Sequence, residues 1–315
     1  MRGFLVIDKP EGISSHHVIA IFRALLGKVK IGHTGTLDPF ATGVLVLAFG
    51  TCTRLISFLP EEEKGYRATL KLGQKTQTGD TEGTVIETKD VGDYSKEYIC
   101  SILKNMEGEQ QQVPPQFSAL KHKGKPLYSY ARKGQHIDVP SRKIHVYSLA
   151  LLSMSADILE LDSVVSRGTY VRQLGVDIAE KMGTVGHLVG LRRTMSGCFS
   201  IEKALSLEEV SLYTTGLTDW KQTLSKEGKS RFARCSAQEL WTKLQRHLYR
   251  VEDVFSHLKT VEISEERKKK IENGLPPLRI PGVEVQEHYW YTYQGTCVAL
   301  AQHDGEKVSL LRVFN

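Results

Sequence analysis

At 315 residues, 40% hydrophobic and 25% charged, the chain can bury one large core and carry a small second domain, and its composition excludes a disordered or fibrous protein. Only four apolar residues, 4–7, precede the first acid and lysine, too few for a signal peptide, and no apolar run approaches the roughly 20 residues that cross a bilayer. Five cysteines at 52, 100, 198, 235 and 297 are odd in number and widely spaced. They match neither a disulfide framework nor a zinc site, so a reducing cytoplasm is expected.

In chain order, residues 4–7 read as a strand, Pro10-Glu11-Gly12 as a turn, and residues 15–26 as a helix started by Ser14 or Ser15. The octet Gly32-His33-Thr34-Gly35-Thr36-Leu37-Asp38-Pro39 follows. Its glycines accept backbone angles other residues resist, and Pro39 stiffens the chain just after Asp38, so a carboxylate can stand on a rigid turn. Residues 43–50 read as a buried strand that anchors this loop. Strands over 66–72 and 84–87 flank a polar loop at 73–83, a helix covers 95–106, and strand-like residues alternate over 144–154 and 158–165. Val171, Leu174, Ile178 and Met182 stand at helical spacing in residues 170–182. Beyond residue 205 the signals are sparse and helical, with a polar stretch at 225–230. A helix up to Gly274, a turn at Pro276-Pro277, and strand-like runs at 289–291, 297–301 and 308–313 then mark a small, mostly β unit. The mixture lacks a regular βαβ order, which favours α+β over a doubly wound sheet.

Charge is concentrated. Residues 113–143 hold seven basic residues (Lys121, Lys123, Lys125, Arg132, Lys133, Arg142, Lys143) and one acid (Asp138), which equals the whole net charge of +6. With Phe117, Tyr128 and Tyr130 among them, this segment suits a polyanion, RNA in particular, as well as it suits a solvated hairpin. The run at 262–272 has four acids and four bases and reads as an exposed helix without a binding role.

Single residues leave the chemistry open. An isolated Asp-Pro is usually an Asx-turn. Asp80 and Glu82 lack a metal-ligand ladder, and Ser14-Ser15 is best explained by helix capping. In Ser166-Arg167-Gly168-Thr169-Tyr170-Val171-Arg172, the arginine at a helix entry would lower the pKa of Asp38 and orient it if the two met. Tyr66 alone reads as core packing, and Leu191-Arg192-Arg193-Thr194 as an ordinary amphipathic edge.

Five motifs in order resolve these alternatives: Asp8-Lys9-Pro10-Glu11-Gly12-Ile13-Ser14-Ser15, the octet with Ala41-Thr42-Gly43, Lys64-Gly65-Tyr66-Arg67, the segment from Ser166 to Arg172, and Leu191-Arg192-Arg193-Thr194. Over about residues 3–200 the chain resembles TruB-type tRNA pseudouridine-55 synthases. The resemblance implies an α+β fold with a mixed, largely antiparallel central sheet flanked by helices. It marks a catalytic domain over residues 1–210 with an RNA-gripping thumb at about 113–143 and, more loosely, a small PUA-like domain over 261–315; the sparse helical stretch over 211–260 matches no motif of the family and reads as a linker or extension. It further implies that Asp38 attacks or deprotonates the ribose of the target uridine. Tyr66 would stack on the flipped base or accept its C5 proton, Arg172 would pair with Asp38, and His33, Tyr170 and Leu191 would line the pocket. The thumb cations Lys121, Lys123, Lys125, Arg132 and Lys133 would hold the RNA. Expected with it are tRNA (T-arm and T-loop) as the partner, no cofactor, no metal, no required protein partner and a monomeric state. The rivals are a non-catalytic tRNA-binding or folding protein and the catalytic subunit of a guide-RNA complex.

Overall fold

The strand Gly3–Lys9 shows why the central sheet sits where it does. Leu5 and Ile7 enter one apolar cluster and Phe4 and Val6 another, so successive side chains are buried on opposite faces and the strand reads as one continuous hydrophobic run. It belongs to a ten-stranded sheet. Along the sheet the order is Leu205–Ser206, Gly3–Lys9, Thr42–Phe49, Gly186–Ser196, Lys64–Leu72, Ile158–Val165, Arg142–Ser155 and Gly108–Gln112. Two short strands, Ile31–His33 and Phe199–Ser200, pair off this path. Pairing is antiparallel except where Leu205–Ser206 meets Gly3–Lys9 and Gly186–Ser196 meets Thr42–Phe49. The computed structural model describes residues 1–60, 63–214, 236–275, 288–303 and 307–314. The polar stretch at 225–230, Cys235 and the turn at Pro276-Pro277 lie outside the described residues.

Helices cover one face. Ser15–Leu26 is capped by Ser14, which accepts from the His17 N–H, and Lys96–Asn105 is capped by Ser95. Together with Val171–Lys181 they deliver Val18, Phe22, Leu103, Leu174 and Ile178 to the main core. Ala237–Leu244 starts with a reciprocal Ser236/Glu239 capping box. It drives Leu240, Trp241 and Leu244 into the same core, Trp241 lying 5.4 Å from the Phe49 ring.

The other face is covered by the C-terminal part of the chain. Val251, Phe255, Trp290, Leu300 and Phe314 pack on Phe4, Val6, Val44 and Val46. Phe4 and Tyr249 also exchange backbone hydrogen bonds of 3.1 and 2.8 Å. Within the segment read as an extension, Ala237–Leu244 packs on one face of the main sheet and Tyr249, Val251, Val254 and Phe255 on the other. Lys259–Glu262, His288–Tyr293, Thr296–His303 and Val308–Val313 form a separate four-stranded sheet. Glu265–Glu272, within the charge-balanced run at 262–272, is a largely exposed helix with i,i+4 pairs Lys269–Glu265 and Lys270–Glu266.

Two elements differ from expectation. The polar loop after Leu72 contains a strand, Gln74–Thr76, that pairs with Val85–Thr88. The stretch around Leu191 is no amphipathic edge: Gly186–Ser196 is an interior strand between Thr42–Phe49 and Lys64–Leu72. Its polar residues are tolerated because Arg193 satisfies its buried guanidinium on backbone carbonyls, as described below. Gly43, at φ +96°, lies so close to this strand that an added Cβ would be 2.2 Å from the Arg193 carbonyl, so only glycine fits.

Candidate active site

The loop that carries Asp38 is held at every residue around the acid. Ser15, fully buried, donates its hydroxyl to the Leu37 carbonyl at 3.0 Å and accepts from the Leu37 N–H at 2.8 Å. Arg193 donates Nε to Val44 O at 2.7 Å, Nη2 to Gly35 O at 3.2 Å and Nη1 to Thr36 O at 3.4 Å. Lys9 is fully buried and donates Nζ to the carbonyls of Ile13 at 2.7 Å, Pro10 at 2.9 Å and Pro39 at 3.3 Å. Burial holds the Lys9 ammonium down to about 8, against the attraction of Asp38. Arg192, the neighbour of Arg193, pairs with Asp8 at 2.6 and 3.0 Å and ties the two strands together outside the site.

Asp38 meets Arg172. The Nε of Arg172 lies 3.0 Å from Asp38 Oδ2, and its Nη1 lies 3.0 Å from Asp80 Oδ2. Nη1 also donates to Thr78 O at 2.9 Å and Nη2 to Phe117 O at 2.8 Å. The Arg172 and Asp80 side chains are 6% and 1% exposed, whereas Asp38 is 39% exposed. One guanidinium thus joins the Asp38 loop, the polar loop and the base of the basic segment, using the fixed fork that distinguishes arginine from lysine. Asp80 is oriented in turn by the Thr78 hydroxyl and the Glu82 N–H. The carboxylates of Asp38 and Asp80 share a cation that the chain itself supplies.

Arg172 does not leave Asp38 with a depressed pKa, contrary to the expectation. Burial pushes the Asp38 carboxyl above its ordinary value and outweighs the pull of Arg172, while Asp80 adds to the rise. Asp38 Oδ1 takes no protein hydrogen bond among the described residues. Asp38 borders a cavity of about 360 Å³ whose wall includes Tyr66, Tyr170, Leu191, Lys64 and Ser118. That volume lies within the range of small-ligand sites.

Tyr66 is buried on the strand Lys64–Leu72 and Leu191 on the neighbouring Gly186–Ser196, so sheet pairing sets both against the cavity. Tyr170 caps the helix Val171–Lys181, its N–H donating to the Gln112 side-chain oxygen at 2.8 Å and its carbonyl accepting from Gln112 Nε2 at 3.1 Å. His33 differs from expectation. It is absent from the cavity wall, and its ring packs edge-on against His16 at 5.3 Å. Its strand pairs it with Leu47, and burial lowers its pKa.

The basic segment leaves the sheet between the paired strands Gly108–Gln112 and Arg142–Ser155. It folds into a two-residue hairpin, Lys121–His122 with Lys125–Pro126, and a short helix, Leu127–Ala131. Lys123 and Gly124 both have positive φ, the geometry of a type I′ turn. Lys121, Lys123, Lys125, Arg132 and Lys133 are exposed, and none pairs with a carboxylate among the described residues. Lys143 is spent on Glu109 at 2.7 Å. Ser118, Ala119 and Leu120 turn back onto the cavity, which places the basic surface beside Asp38.

Residues 23–171 match the model of the TruB family pseudouridylate synthase N-terminal domain, and residues 172–254 that of the tRNA pseudouridylate synthase B C-terminal domain. The chain belongs to the TruB family. A tRNA pseudouridine synthase B of Geobacter sulfurreducens is 36% identical over the full length of both chains. One of Hydrogenovibrio crunogenus is 44% identical over 67% of this chain and 69% of its own. A solved chain in a Cbf5-Nop10-Gar1 complex is 25% identical with a TM-score of 0.69, covering 99% of this chain and 85% of that one. No helix among the described residues is long and apolar enough to cross a membrane.

Several residues of this TruB-family site carry little sequence signal. Gln112 ends a polar run, Glu109 to Gln112, and Ser118 is one hydroxyl in a loop. Ser15 and Arg193 lie inside family motifs, but their hydrogen bonds to carbonyls far away in sequence follow only from the fold.

Proposed function

We propose that this TruB-family enzyme isomerises uridine 55 in the T-loop of tRNA to pseudouridine, acting as a monomer in the cytoplasm without cofactor, metal or guide RNA. The observation that carries this reading is the half-exposed Asp38 carboxylate. Its Oδ2 is pinned by Arg172, and the residue borders a cavity walled by Tyr66, Tyr170 and Leu191.

The reaction breaks the C1′–N1 bond of uridine, turns the uracil, and forms C1′–C5. The C5 proton leaves and N1 gains one, so the balance needs no redox partner. Asp38 Oδ1 starts it by attacking the ribose or by removing a ribose proton. Burial raises its pKa, which makes the carboxylate a stronger proton acceptor than a free aspartate. Arg172 fixes the carboxylate's direction. Tyr66 stacks on the uracil or accepts the C5 proton, with Tyr170 and Leu191 closing the sides. Flipping the base costs a few kcal/mol, which stacking and backbone contacts offset. The exposed cations Lys121, Lys123, Lys125, Arg132 and Lys133 provide those contacts on the thumb.

The test uses purified protein and an unmodified tRNA transcript, with pseudouridine mapped by position. Pseudouridine at 55 without added RNA is expected. Activity only with a guide RNA would favour the guide-complex rival, and binding without turnover would favour a non-catalytic RNA-binding protein.

A further inference from the structure

A second cavity, of about 780 Å³, lies between the segment Gly50–Phe58 and the last strand, Val308–Val313. Lys30, Arg54, Arg167 and Arg312 line it, and its described wall contains no acid. None of the four has a carboxylate within 4.0 Å among the described residues, although surface lysines elsewhere find partners, as Lys269 and Lys270 do. Arg312 is held over the Phe58 ring at 5.3 Å, and its buried Nε has no hydrogen-bond partner. Four like charges around one cleft repel each other, and a bound anion would remove that cost.

Shared wall residues link the cleft to the Asp38 pocket. Arg167 also lines a smaller neighbouring cavity together with Lys64, and Lys64 lines the pocket of Asp38. Burial and the nearby Arg193 and Arg167 hold the Lys64 ammonium down to about 8, the signature of a cation that lacks its counter-charge. Lys64 and Arg167 thus stand between the Asp38 pocket and the cleft, whose wall adds Lys30, Arg54 and, from the C-terminal sheet, Arg312.

We infer that this cleft binds phosphate groups of the RNA strand that leaves the Asp38 pocket, a second grip distinct from the basic thumb. The inference rests on the reading of the Asp38 pocket as an RNA site. RNA is favoured over an acidic peptide because Lys64 and Arg167 join the wall of this cleft to the pocket where the target nucleotide would sit.

The test compares wild type, an Arg54→Ala/Arg312→Ala pair and an Arg54→Lys/Arg312→Lys pair. Affinity for an unmodified tRNA transcript is measured as Kd across a salt titration. Melting temperature is recorded for each protein. The alanine pair is expected to weaken binding at least 10-fold near 0.1 M salt. The slope of log K against log salt should flatten by about 0.7 to 0.9 for each lost phosphate contact. The lysine pair should regain most of the affinity, because a phosphate reads charge more than fork geometry. Unchanged Kd and slope in a folded alanine pair would overturn the inference, as would a loss that lysine does not restore. A poly-glutamate peptide that competes with tRNA as well as a uridine oligonucleotide of equal charge would overturn the choice of RNA. Because these readouts are binding constants, they stand apart from wild-type turnover, which tests the reaction itself.

Discussion

Ser15→Ala isolates the claim that the Asp38 loop works because it is rigid. The substitution deletes one buried oxygen and leaves both the N–H and the C=O of Leu37 without their partner. An orphaned buried polar group costs about 1 to 3 kcal/mol. Two such groups give about 2 to 6 kcal/mol, reduced where the loop relaxes toward water. A domain with a typical stability of about 5 to 15 kcal/mol remains folded. The relaxation would move Asp38, the next residue, and a displacement near 1 Å can cost about 100-fold in rate. Urea unfolding gives the first quantity, and single-turnover release of the C5 hydrogen from labelled tRNA gives the second. Expected are a stability loss of at least 2 kcal/mol, a single-turnover rate reduced roughly 100-fold, and a nearly unchanged tRNA Kd. A variant that loses less than about 0.5 kcal/mol and turns over at the wild-type rate would show that this clamp does not position the acid.

Arg172→Lys keeps the charge but loses the fork, so Asp38, Asp80, Thr78 O and Phe117 O cannot all be satisfied. We expect a loss of about 3 kcal/mol and at least a 100-fold fall in turnover, since removing a partner from a buried ion pair costs about 3 to 5 kcal/mol; wild-type stability in urea would contradict the shared-cation description. Lys9 has a folded pKa of about 8 against an ordinary 10.5, so between those values the unfolded chain binds more protons and stability rises with pH. The full rise from this group is about 3 kcal/mol, and Lys64 adds to it in the same window. Lys9→Met should flatten part of the stability-versus-pH curve between pH 8 and 10.5, and a curve parallel to wild type would argue against a charged, buried Lys9. For the thumb, changing Lys121, Lys123 and Lys125 to alanine should flatten the salt dependence of tRNA binding by about 0.7 to 0.9 per lost contact; an unchanged slope would return the segment to an ordinary solvated hairpin.

The sequence was most readable where local rules and tertiary demand agree. Ser14 caps its helix as read, Ile158–Val165 alternates as read, and the buried strand behind the octet is Thr42–Phe49. Reading failed where tertiary contacts decide. Gly186–Ser196 mixes arginines with apolar residues, so nothing in its periodicity shows an interior strand; its arginines are made tolerable by Val44 O, Gly35 O, Thr36 O and Asp8. Asp80 offered only a weak metal-ligand reading in the sequence because its partner, Arg172, is 92 residues away. Arg172 as the partner of Asp38 came from family resemblance, and the sign of the Asp38 shift was missed because burial cannot be counted before the fold is known. His33 shares the octet, yet its strand turns it toward His16.

Asp38→Asn tests the central claim. Burial raises the Asp38 pKa, so its charge costs stability that is lost as pH rises from the unfolded value through the folded one. The amide avoids this cost and keeps the shape, so the variant should fold at least as well as wild type at pH 7. The measurement is tRNA Kd and pseudouridine at position 55 on the same preparation. Wild-type binding with no detectable pseudouridine is the predicted result, and pseudouridine formed at the wild-type rate would contradict the account.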